Sequence, residues 1–336
     1  MTWTIVGAGA IGGTLAHALA RDGHEVVVVD ADRDHVDALR GKGITIRRAD
    51  GRDDTVEVAR AVHPDDAQDL RDLQKVVIAT KSQHTVQAAT WTASRLAPGG
   101  FVVSAQNGVN EPVIADHVGT HRVLGAFVNI FADYLEPGVV RDGGLGALAV
   151  GLPGSGAPDL RVLETAEDLR AYGDVVVTAN LEGYRASKAG FGAVLGVTTL
   201  VDAPMADVVE AYPDVASAAA AEKVEASIAA GLVLEPFDAW EPYGFRALAS
   251  ERVRTAATAR LVAWLRTMPK DRSGVFRDIA VRRRPRETHP LGYAPAVRGP
   301  APTPVNDAVA ARLDDVAAGH AEFGTHHLDA LRRLLP

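Results

Sequence analysis

The chain has 336 residues, 47% hydrophobic and 23% charged, which is an ordinary globular balance at a length that predicts two domains. It contains no cysteine, which excludes disulfides, a thiolate nucleophile and a cysteine-based zinc site. Its net charge of -8 argues against a nucleic-acid partner. The first residues carry no signal-peptide pattern, and no apolar run approaches the roughly 20 residues that span a bilayer, so we expect a cytoplasmic protein without membrane segments.

The first half of the chain alternates short β-rich runs with amphipathic stretches. The predicted strands are Thr2–Val6, Glu25–Val29, Ile44–Arg48, Thr55–Val58, Val76–Ala79 and Phe101–Ser104. A helix is predicted over residues 10–22, because apolar side chains recur there at helical spacing. Alternation of this kind predicts a parallel sheet covered by helices. The third and fourth strands, joined through Asp50-Gly51, predict a hairpin that adds antiparallel strands at the edge of this sheet.

The pattern changes twice further along the chain. Residues 122–151 are strand-rich with Gly and Pro punctuation, and they predict more antiparallel strands. A helix near residues 158–171 and a strand at Asp174–Thr178 follow. Beyond Asn180 the chain is predicted to be helical, with helices near residues 214–230, 250–267 and 305–335 separated by proline-rich breaks. The prediction is an α/β domain over residues 1–178 and an all-helical domain over residues 179–336.

The first predicted strand leads into a glycine-rich segment that opens the first predicted helix. We call this segment the glycine turn; it consists of Gly7, Ala8, Gly9, Ala10, Ile11 and Gly12. Gly7 permits a tight turn, Gly9 lets the backbone approach a diphosphate, and Gly12 allows helix and strand to pack closely. The helix N-terminus adds free N–H groups and the positive end of its dipole. The glycine turn is therefore predicted to bind a dinucleotide cofactor.

Two residues at the end of the second predicted strand bear on which dinucleotide is bound. Asp30 lies 18 residues after Gly12, where a carboxylate accepts hydrogen bonds from a ribose diol and repels a 2′-phosphate. Asp30 therefore favours NAD over NADP. Arg33 is the counterargument, because its guanidinium can pair with a 2′-phosphate. Both residues are predicted to contact the cofactor, and NAD is the preferred prediction.

Three further segments resemble motifs of the ketopantoate reductase family. Thr80-Lys81-Ser82 follows a predicted strand and is similar to the family's lysine-containing loop beside the nicotinamide. Gln106-Asn107-Gly108-Val109 follows the next strand and resembles the family's Gln-Asn-Gly loop. Tyr184-Arg185-Ala186-Ser187-Lys188 resembles the aromatic and lysine stretch that opens the family's helical domain.

The resemblance continues in order to the end of the chain. Ser273, Asp278 and the segment Arg284-Pro285-Arg286-Glu287 are similar to the family's Ser…Asp…Arg-Pro-Thr-Glu segment. Pro302-Thr303-Pro304-Val305-Asn306 is similar to its Pro-x-Asn before the last helix. The resemblance implies an N-terminal Rossmann-type domain followed by an all-α C-terminal domain like that of 6-phosphogluconate dehydrogenase.

The resemblance also implies a reaction, which is hydride transfer between a nicotinamide cofactor and a 2-oxo or 2-hydroxy acid. It implies Lys188 as the general acid, with Asn107 and Lys81 near the cofactor and the carbonyl group. It implies Ser273 for the substrate carboxylate and Glu287 for orienting Lys188 or the substrate. These roles suit the chemistry, because hydride delivery builds negative charge on the carbonyl oxygen, which an ammonium group stabilises and protonates.

The substrate side departs from the family's pattern. The family has asparagines four and eight residues after its catalytic lysine, whereas this chain has Gly192 and Gly196. No asparagine occurs near residues 204–206, and Arg286 replaces a threonine. Lost amide hydrogen bonds change substrate discrimination by orders of magnitude. We therefore expect a bulkier or more anionic 2-oxo acid than ketopantoate, with Gly192 among the substrate-binding residues.

Other interpretations remain open from the sequence. A 3-hydroxyacid or opine-type dehydrogenase shares the same domain layout, and a regulatory protein would bind NAD(P) without turnover. Lys188 is alternatively an exposed helix lysine, Glu287 a first-turn acid, Ser273 a helix cap and Asn107 a turn residue. The basic run of residues 282–286 is a solvated surface, a rim that attracts anions, or a nucleic-acid patch, which the acidic net charge argues against. The histidines have no metal-ligand spacing, and the alanine-rich helices of the second domain offer surface for a homodimer.

Overall fold

The computed structural model describes residues 2–154, 156–283 and 302–335. These residues divide into two compact units, one extending to Leu181 and the other beginning at Glu182. The first unit combines a largely parallel sheet with helices, and the second is built from helices. This arrangement confirms the predicted fold class. The domain boundary at residue 178 stays a prediction.

The strands of the first unit are β1 (Thr2–Val6), β2 (Glu25–Val29), β3 (Ile44–Arg47), β4 (Asp53–Val56), β5 (Arg60–Val62), β6 (Leu73–Ile78), β7 (Leu96–Ser104), β8 (Val123–Val128), β9 (Ala132–Glu136), β10 (Val139–Asp142), β11 (Leu148–Gly151) and β12 (Val175–Val177). Its helices are α1 (Ala10–Arg21), α2 (Arg33–Lys42), α3 (Thr85–Ala93), α4 (Glu111–Val118) and α5 (Leu160–Leu169), and short 3-10 turns lie at Pro64–Asp66, Ser82–His84 and Thr120–Arg122.

The main sheet has the strand order β12-β11-β8-β7-β6-β1-β2-β5. The strands from β8 to β5 pair in parallel, whereas β11 runs antiparallel to β8. The order β5-β2-β1-β6-β7-β8 is that of dinucleotide-binding sheets, whose ligands bind at the carboxyl ends of the strands where the strand order reverses. The glycine turn, Asp30, Lys81 and Asn107 follow β1, β2, β6 and β7, so they lie along this one edge.

Two apolar cores cover the two faces of the main sheet. Successive side chains of a strand point to opposite faces, so Trp3 and Ile5 join one core and Val6 joins the other. The first core includes residues of α1, α2 and α5, and the second includes residues of α3 and α4. Strand β2 is a nearly continuous apolar run, as expected for a strand whose two faces are both buried.

A second sheet, of order β4-β3-β10-β9, corrects the predicted place of the hairpin. Strands β3 and β4 pair antiparallel, as predicted, with Ile44 opposite Val56. The prediction that they extend the parallel sheet is wrong, because β3 pairs with β10 and the edge beside β2 is taken by β5. Strand β5 has only three residues and begins with a charged one, so its periodicity is too short to detect from sequence.

The helices of the second unit are α6 (Leu181–Thr199), α7 (Met205–Ala211), α8 (Pro213–Ala229), α9 (Glu251–Thr267), the single turn α10 (Gly274–Phe276), α11 (Pro304–Ala317) and α12 (His326–Arg332). Two of these helices begin with standard start residues, since Pro213 opens α8 and the Ser250 side chain accepts a hydrogen bond from Val253 N–H at the start of α9. No helix in the described ranges is long and apolar enough to cross a membrane.

Candidate functional site

The glycine turn contains two kinds of glycine, which differ in how closely other atoms surround them. A Cβ on Gly12 would lie 1.9 Å from the Gly7 carbonyl oxygen, and Gly7 itself has a φ of +88°, so the turn and α1 pack only with glycine at both positions. Gly9 is different, because nothing lies within 4 Å of the place where its Cβ would be. Gly9 therefore opens onto space that a ligand can fill, as predicted for a diphosphate-binding glycine.

The N-terminus of α1 has the features of an anion-binding helix start. Gly9 is its N-cap residue, no side chain caps the helix, and its first turn contains no acidic residue. The positive end of the helix dipole is therefore not neutralised by its own first turn. Together with the open space at Gly9, these features fit a dinucleotide diphosphate.

Asp30 forms part of the same structure. One of its carboxylate oxygens accepts a hydrogen bond from Ala8 N–H at 2.7 Å, and the other accepts one from Asp32 N–H at 2.9 Å. A carboxylate has about four lone-pair sites, so both oxygens retain capacity for ribose hydroxyls. Asp30 thus holds the glycine turn, and its contact with a ribose stays a prediction.

Arg33 lies close to two acidic side chains that the sequence interpretation missed. Its guanidinium donates to Asp66 at 2.8 Å and lies 3.9 Å from Asp65, both on the 3-10 turn after β5. Arg33 and Asp66 are exposed, and the pairing lowers the pKa of the Asp66 carboxyl group. The positive charge of Arg33 is therefore balanced by carboxylates that are distant in sequence.

Tyr134 on β9 experiences the same accumulation of negative charge. Burial is the main cause that raises the pKa of its hydroxyl to about 12, and three carboxylates add to the effect: Asp32, Asp30 and Asp34. The end of the site that follows β2 is thus an acidic environment.

The loop after β6 is tied to the loop after β7. Gln106, which is buried, donates from Nε2 to the Thr80 carbonyl oxygen at 2.9 Å and to Thr85 Oγ1 at 2.8 Å. Lys81, between these partners, is exposed and is the N-cap residue of a 3-10 turn. These bonds fix the backbone on either side of the predicted cofactor-binding lysine.

Asn107 is held through its main chain. Its carbonyl oxygen accepts hydrogen bonds from Ser82 Oγ at 3.1 Å and from Asn110 Nδ2 at 2.9 Å, and Gly108 follows with a φ of +78°. The Asn107 side chain is thus carried on a fixed turn at the carboxyl end of β7. Asn110, which the sequence interpretation missed, was adjacent to the recognised motif but gave no signal of its own.

In the second unit, Lys188, Gly192 and Gly196 lie at intervals of four residues on α6 and therefore share one face of the helix. Lys188 is half-buried, and Gly192 is exposed with nothing within 4 Å of a Cβ. A Cβ on Gly196 would touch Val309 at 3.4 Å. The helix surface one turn beyond Lys188 is therefore open.

Ser273 is buried at the start of α10. Its Oγ accepts a hydrogen bond from Phe276 N–H at 3.0 Å and shares another with Thr199 Oγ1 at 2.7 Å. This geometry is that of a helix cap, and the substrate-binding role of Ser273 stays a prediction. Glu287 and Arg286 lie outside the described residues.

Two other residues that carried the resemblance have clear partners. The Asp278 carboxylate accepts from Arg282 at 3.0 Å. Asn306 donates from Nδ2 to the Ala219 carbonyl oxygen at 2.8 Å and to Glu222 at 2.7 Å, which anchors the start of α11. Across the part of the chain that the structure describes, no three His, Cys, Asp or Glu side chains are grouped as metal ligands.

Comparison with known proteins relates the first unit to one enzyme family. A family model described as ketopantoate reductase PanE/ApbA matches residues 3–154. Over these residues, the chain is similar to the ketopantoate reductase family. The glycine turn, Asp30, Arg33, Lys81 and Asn107 all lie within the match, whereas Lys188 and Ser273 lie beyond it.

Individual curated relatives agree with this match. The 2-dehydropantoate 2-reductase of Halobacterium salinarum is 31% identical over 182 residues, which are 54% of this chain and 58% of that protein. The chain spans 46% to 58% of the length of the curated relatives it matches.

Solved structures extend the likeness over the second unit. A PanE/ApbA family ketopantoate reductase from Ralstonia eutropha JMP134 has 25% identity and a TM-score of 0.72, covering 95% of this chain and 99% of that one. D-mandelate dehydrogenase with NADH and anilino(oxo)acetate has 18% identity and a TM-score of 0.75, covering 95% and 99%. The second likeness is one of fold alone.

Proposed function

We propose that this protein is a nicotinamide-dependent reductase that interconverts a 2-oxo acid and the corresponding 2-hydroxy acid. The observation that carries the proposal is the open space at Gly9, at the N-terminus of an uncapped helix and beside Asp30, in residues that are similar to the ketopantoate reductase family. The name of the curated relatives, 2-dehydropantoate 2-reductase, supports this class of reaction.

The proposed chemistry assigns separate tasks to the residues. When bound, the reduced cofactor supplies the hydride that the carbonyl carbon accepts. Lys188 donates the proton that converts the carbonyl oxygen to a hydroxyl group, and it takes the proton back in the reverse direction. Lys81 and Asn107 contact the cofactor at the carboxyl edge of the sheet, while Ser273 and Glu287 bind and orient the substrate.

We further propose that the substrate is a 2-oxo acid larger than ketopantoate. Gly192 leaves open space one helical turn beyond Lys188, where the resemblance predicts an asparagine. A glycine has no side chain that could hydrogen-bond a substrate hydroxyl group. A pocket with glycine at this position therefore favours a bulkier substrate over one that is recognised through its hydroxyl group.

A panel of 2-oxo acids of increasing bulk, ketopantoate included, tests this proposal with NADH and with NADPH. We expect a bulkier acid to have a higher kcat/KM than ketopantoate, measured from the absorbance of the reduced nicotinamide. The matched variant Gly192→Asn should shift the preference toward ketopantoate, because its side chain enters open space. Best turnover of ketopantoate by the unmodified protein would refute the substrate proposal. Activity only on 3-hydroxy acids or in reductive coupling to amino acids would favour the alternative dehydrogenases.

We propose NAD rather than NADP as the cofactor. Asp30 and Asp32 lie at the end of β2, and Asp66 with Asp65 balances the Arg33 guanidinium that a 2′-phosphate would use. The 2′-phosphate of NADP would therefore be repelled by these carboxylates. Arg33 could bind that phosphate only after breaking its ion pair with Asp66.

Freeing Arg33 should improve the use of NADPH. We expect Asp66→Asn to lower the KM for NADPH about fivefold and to leave the KM for NADH nearly unchanged, a modest effect because both partners are exposed and screened by salt. Asp69→Asn is the matched control, since Asp69 is also exposed and pairs with a different arginine, Arg60, at 2.6 Å. An equal effect of both variants, or a preference of the unmodified protein for NADPH, would contradict the proposal.

A further inference from the structure

His35 on α2 connects the glycine turn to the second sheet. Its side chain is buried, with Nε2 lying 3.0 Å from the Ala8 carbonyl oxygen. Its Nδ1 lies 2.9 Å from the backbone nitrogen of Gly138, in the turn between β9 and β10. One imidazole ring therefore bridges two segments that are far apart in sequence.

The two contacts specify one tautomer of His35. A backbone N–H only donates, so Nδ1 accepts from Gly138 and carries no hydrogen. The neutral ring then carries its hydrogen on Nε2, which donates to the Ala8 carbonyl oxygen. Tyr134 packs against the imidazole edge to face, with ring centroids 5.2 Å apart. The ring is thereby fixed in orientation as well as in protonation.

Ala8 is held from both sides. Its N–H donates to Asp30 at 2.7 Å, and its carbonyl oxygen accepts from His35. A trans peptide is planar with its N–H opposite its carbonyl, so fixing the Ala8 carbonyl also fixes the direction of the Gly9 N–H. Because Gly9 adjoins the open space of the site, that direction decides whether its N–H can meet a diphosphate.

The second sheet contacts the glycine turn at a further point. Val140 of β10 packs with Ile46 and Ala132 in a small apolar cluster against Ala10, at the first turn of α1. A Cβ on Gly13 would lie 3.0 Å from Val140 and 2.9 Å from the Ala8 carbonyl oxygen. The second sheet and the helix start are therefore in close contact at the point that His35 bridges.

We infer that His35 is a positioning residue for the dinucleotide: it orients the Ala8–Gly9 peptide toward the diphosphate and makes the second sheet a support of the cofactor site. This inference rests on the proposed nicotinamide-dependent function. It assigns to the second sheet a task in cofactor binding rather than in substrate chemistry.

The test compares three variants by titration with NADH, followed by fluorescence. His35→Phe keeps a ring of similar size and removes both hydrogen bonds; we expect the Kd for NADH to rise about tenfold, the effect of one well-made hydrogen bond. The kcat at saturating NADH should stay within about twofold. His35→Gln restores a donor and an acceptor, and we expect it to recover most of the affinity.

His327→Phe is the matched control. His327 is also a buried histidine whose Nε2 lies 2.9 Å from a carbonyl oxygen, that of Glu322, but it belongs to α12 of the second unit. We expect its variant to lose thermal stability while its Kd for NADH stays unchanged. Equal Kd values for the unmodified protein and His35→Phe would overturn the inference, as would failure of His35→Gln to recover affinity.

A spectroscopic measurement on the cofactor-free protein is independent of whether the variants fold. Nitrogen-15 NMR of the imidazole should report Nε2 of His35 as protonated and Nδ1 as unprotonated, and the opposite tautomer would overturn the inference. If the unmodified protein binds neither NADH nor NADPH, the proposed function itself fails. If it binds NADH and His35→Phe binds equally well, only the role of His35 fails.

Discussion

Replacing Lys188 with alanine is expected to lower kcat by about 100- to 1,000-fold, the usual contribution of a general acid, while the Kd for NADH remains unchanged. We expect kcat to change without the Kd because Lys188 belongs to α6 of the second unit, whereas the residues proposed to hold the dinucleotide belong to the first. Loss of a proton donor affects the step in which the carbonyl oxygen becomes a hydroxyl group, and it leaves the diphosphate and ribose contacts intact.

Steady-state assays in both directions and an NADH titration measure these two effects separately. Lys223→Ala is the matched control, because Lys223 is a half-buried lysine on α8 of the same unit, and we expect it to have wild-type kcat. Small primary amines added to Lys188→Ala should restore part of the turnover, since they supply the missing proton donor. Unchanged turnover in Lys188→Ala would favour the interpretation of the chain as a regulatory protein that binds the cofactor without chemistry.

The parts of the site that sequence could predict depend on neighbours within a few residues. The strand Thr2–Val6, the glycine turn and the start of α1 follow one another directly, and the steric role of Gly12 is a contact with Gly7 inside the same motif. The spacing of Lys188 and Gly192 places them on one face of a helix, and α6 contains both. These features depend on residues only a few positions apart, so they can be predicted from the sequence.

The parts that sequence could not predict depend on contacts between distant residues. Arg33 and Asp66 are 33 residues apart, and the sequence showed only an arginine that favours NADP. His35 and Gly138 are 103 residues apart, and a lone histidine in an amphipathic helix gives no sign of a partner in another sheet. The hairpin was assigned to the wrong sheet for the same reason, because its partner β10 lies far along the chain.

The proposed site is thus a predicted motif supported by unpredicted neighbours. Asp30 was predicted from its place after β2, yet its bond to Ala8 N–H gives it a second task, which is to hold the glycine turn. His35 holds the carbonyl side of the same residue, Ala8. We therefore expect cofactor preference and cofactor affinity to depend on residues outside the motif.

Replacing Gly9 with valine is expected to abolish most cofactor affinity without unfolding the protein. No atom beyond its neighbours along the chain lies within 4 Å of the Gly9 Cβ position, so we expect the melting temperature to stay near that of the unmodified protein. The valine side chain fills the space proposed for the diphosphate. We expect the Kd for NADH to rise at least about 30-fold, because hydrogen bonds to a charged group are each worth roughly 1.5–3 kcal/mol.

Two further variants locate the effect in the glycine turn. Gly41→Val is the control for loss of a glycine with open surroundings, since Gly41 lies exposed near the end of α2, and we expect unchanged NADH affinity. Gly12→Ala should lose both stability and affinity, because its Cβ would lie 1.9 Å from the Gly7 carbonyl oxygen and would force α1 away from β1. Wild-type affinity in Gly9→Val would mean that the diphosphate does not approach Gly9, and the glycine turn would then serve packing alone.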